Sequence, residues 1–284
     1  MITTVLDILD KGTAYLQKRG IEDARRNMQM LVAHQLGCTR MDLYLRFDEA
    51  LEEEHLPALR ESLKKRGEGV PLQHLMGTVY FHNREFKTDA RALIPRPETE
   101  ELVEWLLKNA KPLPEQPRIL DMGCGSGILG LTLAAERPQA EVVLADISPD
   151  ALALAQENAQ TLEIANARFV TTDLFNGLEG ESFDLIVANL PYVPEADRAT
   201  LTKEVMHDPA LALFGGPDGM DVIRRFVADA PRFLNPGGWL ALEIGWDQSV
   251  ETEALLRAAG MIDVLTVSDI SGIPRFPISR RPGA

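Results

Sequence analysis

The chain has 284 residues, 45% of them hydrophobic and 25% charged, with a formal net charge of −14. That is apolar material enough for a sizeable core, and a charge that opposes non-specific attraction to a polyanion, since phosphate neutralisation supplies most of that affinity. No apolar run approaches the roughly 18 residues of a membrane span, and the start, MITTVLDILDKG, lacks the basic, apolar and small-residue regions of a signal peptide. The expectation is a cytoplasmic protein without a membrane partner. Its two cysteines, Cys38 and Cys124, match no metal-ligand spacing, so reduced thiols and no metal are expected. The acidity is uneven: residues 1–76 hold 11 Lys and Arg against 12 Asp and Glu, which leaves −13 for the remainder.

The first part of the chain reads as helices. Thr4 followed by Asp7 is a capping-box-like start, and Val5, Leu6, Ile8, Leu9 and Leu16 form a stripe at helical spacing. A second helix is expected from about Glu22 to Leu36 with Gly37 as its stop, a short third from Thr39, and a fourth over EEEHLPALRESLKKR ending at Gly67. The fourth has acidic residues first and basic residues last, as the helix dipole favours, so 52–54 and 64–66 are read as solvated termini. Residues 1–73 are thus expected to form a small helical bundle. The next stretch, HLMGTVYFHNREFKTDA, alternates and carries aromatics around Asn83 and Arg84, which predicts a β-hairpin linker over 74–90.

From Arg118 onward strand-like segments (RILDMG, EVVLAD, ARFVTTD, SFDLIVAN, GGWLALEIG, IDVLTV) alternate with helix-like ones. Continuous apolar strands between amphipathic helices predict an α/β domain, taken as 91–284, with a parallel sheet covered on both faces. Such sheets bind ligands at the carboxyl ends of their strands. The basic residues near the end, Arg275, Arg280 and Arg281, are read as part of a solvated tail, with contact to a partner as the alternative.

ILDMGCGSGILGLTLA is a strand, a loop with Gly123, Gly125 and Gly127, and then a helix start. Glycines let the backbone turn tightly and approach a ligand, and the helix N-terminus follows; a bare strand-to-helix turn is the competing reading. Position 128 is Ile where the dinucleotide pattern G-x-G-x-x-G wants glycine, which disfavours NAD. The next strand ends in Asp146, where a carboxylate can accept both hydroxyls of a ribose. Together the loop and Asp146 resemble motifs I and II of Rossmann-like S-adenosylmethionine methyltransferases. That resemblance implies that 121–127, with Gly123, Cys124, Gly125, Ser126 and Gly127, pass beneath the methionine part of S-adenosyl-L-methionine, and that Asp146 holds the ribose. At the end of the third strand, Asp173 and Leu174 are the corresponding candidates for contacts to adenine, with a plain turn cap as the alternative for Asp173.

The fourth strand ends in Asn189, Leu190, Pro191 and Tyr192. A side-chain carbonyl from Asn189 and the main-chain carbonyl of Leu190 can each accept a hydrogen bond from a planar NH2 group, orienting its nitrogen for attack on a methyl donor. Pro191 stiffens the loop and Tyr192 can stack on a flat group. These four are the expected catalytic and substrate-binding residues, and the methyltransferase resemblance implies that Asn189 also touches the cofactor. The motif belongs to a class whose members methylate either exocyclic base amines or protein glutamines, and its chemistry does not choose.

The wider chain resembles one family. VPLQHLMG, FKTDARALIPRPETEELVEWLL, LDMGCGSGILGLTLA, NLPYVP and ALFGGPDGMDVIRRF follow the order and wording of the protein-(glutamine-N) methyltransferases of peptide chain release factors, the HemK/PrmC family. The resemblance implies a mainly parallel seven-stranded sheet behind a helical docking domain. It also implies S-adenosyl-L-methionine as cofactor, with S-adenosyl-L-homocysteine as product, and the Gly-Gly-Gln glutamine of class I release factors as substrate, with nucleic acid an unlikely direct one. It leaves 95–99 either lining the site entrance or forming a Pro-rich cap for the helix from Glu98. One departure stands out: the family reads Asn-Pro-Pro-Tyr, whereas Leu190 here gives the wording of ribosomal RNA adenine dimethyltransferases. An RNA or DNA adenine amine is therefore the alternative substrate.

Overall fold

The computed structural model describes residues 4–283, which divide into two compact units. The first comprises the chain up to Thr78 together with Thr202–His207, a segment that linear reading leaves with the second. Its first helix, α1 (Val5–Gln17), starts where expected: Thr4 N–H donates to Asp7 and the Asp7 N–H to the Thr4 hydroxyl, a reciprocal cap. Val5, Leu9 and Leu16 are buried against Met28, Leu31 and Val32 of α2 (Ala24–Gln35). Gly12 permits the close crossing, since a Cβ there would sit 2.2 Å from the Met28 sulfur.

The third expected helix is only a 3-10 turn, Asp42–Leu45, because Thr39 and Asp42 bond each other and close the chain tightly. The fourth begins later than its acidic run: Glu53–His55 form a 3-10 turn, and α3 (Leu56–Gly67) has proline in its first turn. A short α4 (Leu72–Met76) follows. The reading of 64–66 as solvated fails at Arg66, which is buried. Its guanidinium donates to the Asn27 side chain at 2.7 Å and the Val70 carbonyl at 3.2 Å, and pairs with Glu204, which ties in the 202–207 segment.

The second unit opens with the expected hairpin, β1 (Thr78–Phe81) and β2 (Arg84–Lys87), although Thr78 itself clusters with the first unit. His82 and Asn83 both take positive φ, as a two-residue turn between antiparallel strands requires. Helix α5 (Pro97–Asn109) precedes β3 (Arg118–Met122), α6 (Ile128–Glu136), β4 (Glu141–Asp146), α7 (Pro149–Thr161), β5 (Ala167–Thr171) and β6 (Phe183–Asn189). Then come α8 (Ala210–Leu213), α9 (Asp221–Asp229), β7 (Leu234–Glu243), α10 (Ser249–Ala258), β8 (Ile262–Ser268) and β9 (Pro274–Arg280).

The seven-stranded sheet has the order β5-β4-β3-β6-β7-β9-β8, parallel from β5 to β7, with β9 antiparallel to both its neighbours. Alternate residues of one strand feed opposite cores: Ile119 and Leu144 join Leu106 and Leu131 on one face, while Leu120 and Val143 join Ile186 and Phe226 on the other. Burial on both faces explains the unbroken apolar runs in the sequence. The expected solvated tail is corrected here: 274–280 form a strand between β7 and β8 with Phe276 and Ile278 buried. Its prolines hid it. The paired stretch with β7 covers 278–280, so Pro277, which has no N–H, falls outside that ladder. Arg275 pairs with Asp269 at 2.7 Å and Arg280 lies over the Trp239 ring. No helix among the described residues is long and apolar enough to cross a membrane.

Candidate functional site

The strand order reverses between β3 and β6, and that is where a crevice opens at the carboxyl ends of the strands. Register aligns three of those ends: Met122 lies beside Ala145 on β4 and Ala188 on β6, so the glycine loop, Asp146 and Asn189 emerge side by side. Gly123, Gly125 and Gly127 all take positive φ, a conformation that other residues adopt only with strain. The Gly123 and Cys124 N–H groups both donate to the Ala145 carbonyl, which folds the loop over β4. Gly127 starts α6, and a Cβ on it would lie 2.9–3.0 Å from Leu131, Ala155 and Leu144. From α7, buried Asn158 donates to the Ser126 carbonyl and brackets the backbone of Lys87, joining the hairpin to the loop.

Asp146 accepts from the Gly125 N–H and the Ser148 N–H, both at 2.8 Å, one on each oxygen. Each oxygen keeps a lone pair for a further donor. Burial raises its carboxyl above the usual range. Asp121, fully buried at the start of the loop, accepts from the Gly130 N–H at 2.7 Å, and its other oxygen has no partner. Burial, and then the charge of Asp146, push it up to about 7. Asp173 is half-buried and paired with Arg225 of α9 at 2.7 Å. Leu174 stands at φ +52, uncommon for a bulky residue; the Thr172 hydroxyl holds that turn from between the Leu174 and Asn176 carbonyls, which share its one hydrogen.

Asn189 ends β6 opposite Glu243 at the end of β7. Leu190 is buried, and its side chain closes on Gly123: a Cβ at 123 would come within 2.9 Å of it. The leucine at this position therefore packs the strand end onto the glycine loop. The backbone beyond is supported by the GGPDGMD segment. A Cβ on Gly215 would meet the Pro191 carbonyl at 2.4 Å, and one on Gly219 the Tyr192 carbonyl at 2.2 Å. The Tyr192 carbonyl also accepts from the Gln248 amide at 2.9 Å. The Tyr192 phenol is pushed up to about 12 by burial and then by Glu243.

All the expected residues except Asp121, Gly127 and Tyr192 line one cavity, and Pro95, Arg96 and Thr99 line it too. Gly127 is spent on starting α6, and Tyr192 packs against the core cluster that contains Leu190 and Ile244. The loop before α5 is pinned by Asp208, which accepts from the Ile94 N–H at 3.1 Å and from Arg96 at 2.8 Å. Sequence reasoning missed Glu243, Gln248, Asn158 and Asp208. Only the glycines at 215 and 219 carried a signal, as positions where backbone approaches backbone.

The cavity fits a nucleoside-type cofactor on its own chemistry: a glycine loop whose Gly125 would find only Ala92 near an added Cβ, at 3.7 Å; a carboxylate with lone pairs free; and an apolar wall at Leu174. The two buried carboxyls also set a pH dependence of folding. Asp121 and Glu243 are each raised to about 7 from ordinary values near 4, so between those limits the folded state binds more protons than the unfolded state. Their stabilisation is complete below about pH 4 and is lost as pH rises through about 7. Thermal melts of the cofactor-free protein should show Tm falling between about pH 5 and 8, with a shallower slope in Asp121→Asn. A Tm that rises across that window would contradict these assignments.

A seven-stranded sheet with its last strand antiparallel, a glycine loop after the first parallel strand and Asn-x-Pro-Tyr after the fourth define the methyltransferase class. Residues 98–217 match the family described as Methyltransferase small domain, and residues 7–77 that described as PrmC N-terminal domain. The chain is 43% identical over 277 residues to the release factor glutamine methyltransferase of Deinococcus radiodurans, covering 98% of each chain. It is 40% identical to that of Geobacter sulfurreducens, covering 96% of this chain and 95% of the relative. The chain belongs to the release factor glutamine methyltransferase family. A solved methyltransferase from Pyrococcus furiosus shares the fold, with a TM-score of 0.52, 17% identity and coverage of 69% of this chain and 88% of that one.

Proposed function

We propose that this protein transfers a methyl group from S-adenosyl-L-methionine to the side-chain amide nitrogen of the glutamine in the Gly-Gly-Gln motif of class I peptide chain release factors, supporting translation termination in the cytoplasm. The carrying observation is the placement of Asn189 at the end of β6, with Leu190 packed directly on Gly123 of the glycine loop. The cofactor, when bound, supplies a methyl group already electrophilic at its sulfonium and leaves as S-adenosyl-L-homocysteine.

The residues do the rest by orientation. Residues 123–126 and Asp146, with Asp173 and Leu174 at the far end, would hold the cofactor along the crevice. The Asn189 side-chain oxygen and the Leu190 carbonyl would each accept one hydrogen of the glutamine NH2, stabilising positive charge as it grows on nitrogen. Pro191 and the ring of Tyr192 would keep the amide plane in place. The added proton leaves after transfer, so no strong base is needed beforehand. In this reading the helical residues 1–73 dock the rest of the release factor, 74–90 form the linker and 91–284 carry the chemistry; no metal takes part.

Leu190 gives the motif the wording of adenine dimethyltransferases, which makes ribosomal RNA the comparison substrate. Incubation with labelled cofactor and either a release factor or ribosomal RNA separates the two. The Gly-Gly-Gln peptide should gain the mass of one methyl group and RNA should stay unlabelled; label in RNA alone would overturn the proposal. The acidity of the chain supports the protein substrate, since a polyanion would be repelled.

A further inference from the structure

Asn189 can serve a substrate NH2 only if its oxygen, and not its nitrogen, faces the cavity. The two ends of the amide are nearly equal in size, so something on the inner side must choose between them. Behind Asn189 stand Thr99 of α5 and Glu243 of β7, both buried. The Thr99 hydroxyl donates to the Glu243 carboxylate at 2.7 Å. That spends its only hydrogen and leaves its oxygen as an acceptor, to which the Asn189 amide nitrogen donates at 3.4 Å. A flipped amide would set the Asn189 oxygen against an oxygen with no hydrogen to give.

We infer that Glu243, acting through Thr99, is a positioning residue that fixes the side-chain amide of Asn189 with its oxygen toward the methyl acceptor. The inference rests on the proposed function for its substrate, though the orientation itself does not. It makes the selectivity of the site for an amine-type hydrogen donor depend on a carboxylate that never touches the substrate. It also gives the orientation a pH dependence. A protonated Glu243 can donate to Thr99, which frees the Thr99 hydrogen for the Asn189 oxygen, and the flipped amide becomes accessible.

The groups facing Glu243 are Glu98 beside Thr99 on α5, Asn189 and Tyr192 at the end of β6, and Arg275 on β9. Burial lifts Glu243 to about 7; Glu98 adds to the lift, while Thr99, Arg275 and Asn189 oppose it. Through neutral pH Tyr192 stays neutral and Arg275 stays charged. Asp121, also near 7, lies on β3 with its carboxyl bonded to the Gly130 N–H of α6, apart from the Thr99, Glu243 and Asn189 contacts.

The test compares full-length wild type with Glu243→Gln, an uncharged side chain of the same shape. With a release factor as acceptor, wild-type kcat should rise with pH through neutrality, while the variant stays flat. The variant should be about tenfold slower near pH 8 and approach the wild type near pH 6, with its affinity for S-adenosyl-L-homocysteine unchanged. Thr99→Val should slow turnover and Thr99→Ser restore it. The orientation is read separately, without any acceptor, from the 15N side-chain amide signal of Asn189, assigned by its loss in Asn189→Ala. That signal should titrate near neutral pH in the wild type and not in Glu243→Gln. A wild-type signal that does not move, or a variant with wild-type kcat and pH profile, overturns the inference. A wild type that leaves release factors unmethylated overturns the proposed function instead, and the amide titration still decides the inference.

Discussion

Asn189→Ala should lower kcat for methyl transfer by at least about a hundredfold, the range seen when one preorganised hydrogen-bonding group is removed from a developing charge. The alanine variant keeps the Leu190 carbonyl but loses the second acceptor, so the NH2 group is free to turn about its remaining hydrogen bond. In the proposed mechanism orientation is the main catalytic resource, because the methyl donor needs little further activation. The fold should survive. Asn189 is half-buried at a strand end, its hydrogen bond to Thr99 is long at 3.4 Å, and its other side-chain neighbour there is the Glu243 carboxylate. Loss of such a bond costs about 1 kcal/mol or less. Steady-state rates with a release factor, beside thermal melts of both proteins, separate the two effects. Near-normal turnover would remove Asn189 from its assigned role.

The second large effect is expected at Asp146. Two hydrogen bonds from ribose hydroxyls to a carboxylate contribute roughly 3–6 kcal/mol together, so Asp146→Ala should weaken cofactor binding by at least about a hundredfold. The loop itself should suffer too, since the Gly125 and Ser148 N–H groups lose their acceptor. Asp146→Asn keeps the shape and one acceptor oxygen and should fall between the two. Calorimetric titration with S-adenosyl-L-homocysteine checks this without any methyl acceptor. A Kd within about threefold of wild type for the alanine variant would exclude Asp146 from the cofactor site.

Both residues are legible in the amino-acid sequence because their signals are local. A glycine that must take positive φ, a carboxylate that ends an apolar strand, and an Asn-x-Pro-Tyr that interrupts one are each written within a few neighbouring residues, since turn chemistry and strand burial act over that range. The alternation of strands and helices points to the parallel architecture for the same reason, and the Thr4–Asp7 cap is legible from a spacing of three.

What stays hidden depends on which distant segments become neighbours. Nothing near Glu243 marks it as a partner of Asn189; that follows only once β7 has paired with β6 in register. β9 cannot be found from its own residues, because its prolines argue against a strand until the limited pairing with β7 spares Pro277. Arg66 reads as the end of a solvated basic run, and becomes a buried anchor only when Asn27, Val70 and Glu204 supply acceptors from three other parts of the chain. Local sequence thus determined the kind of site and where on the sheet it lies. Tertiary structure alone decided which buried groups stand behind it, since a hydrogen bond or an ion pair needs its partner within a few ångströms and the order of residues does not carry that distance.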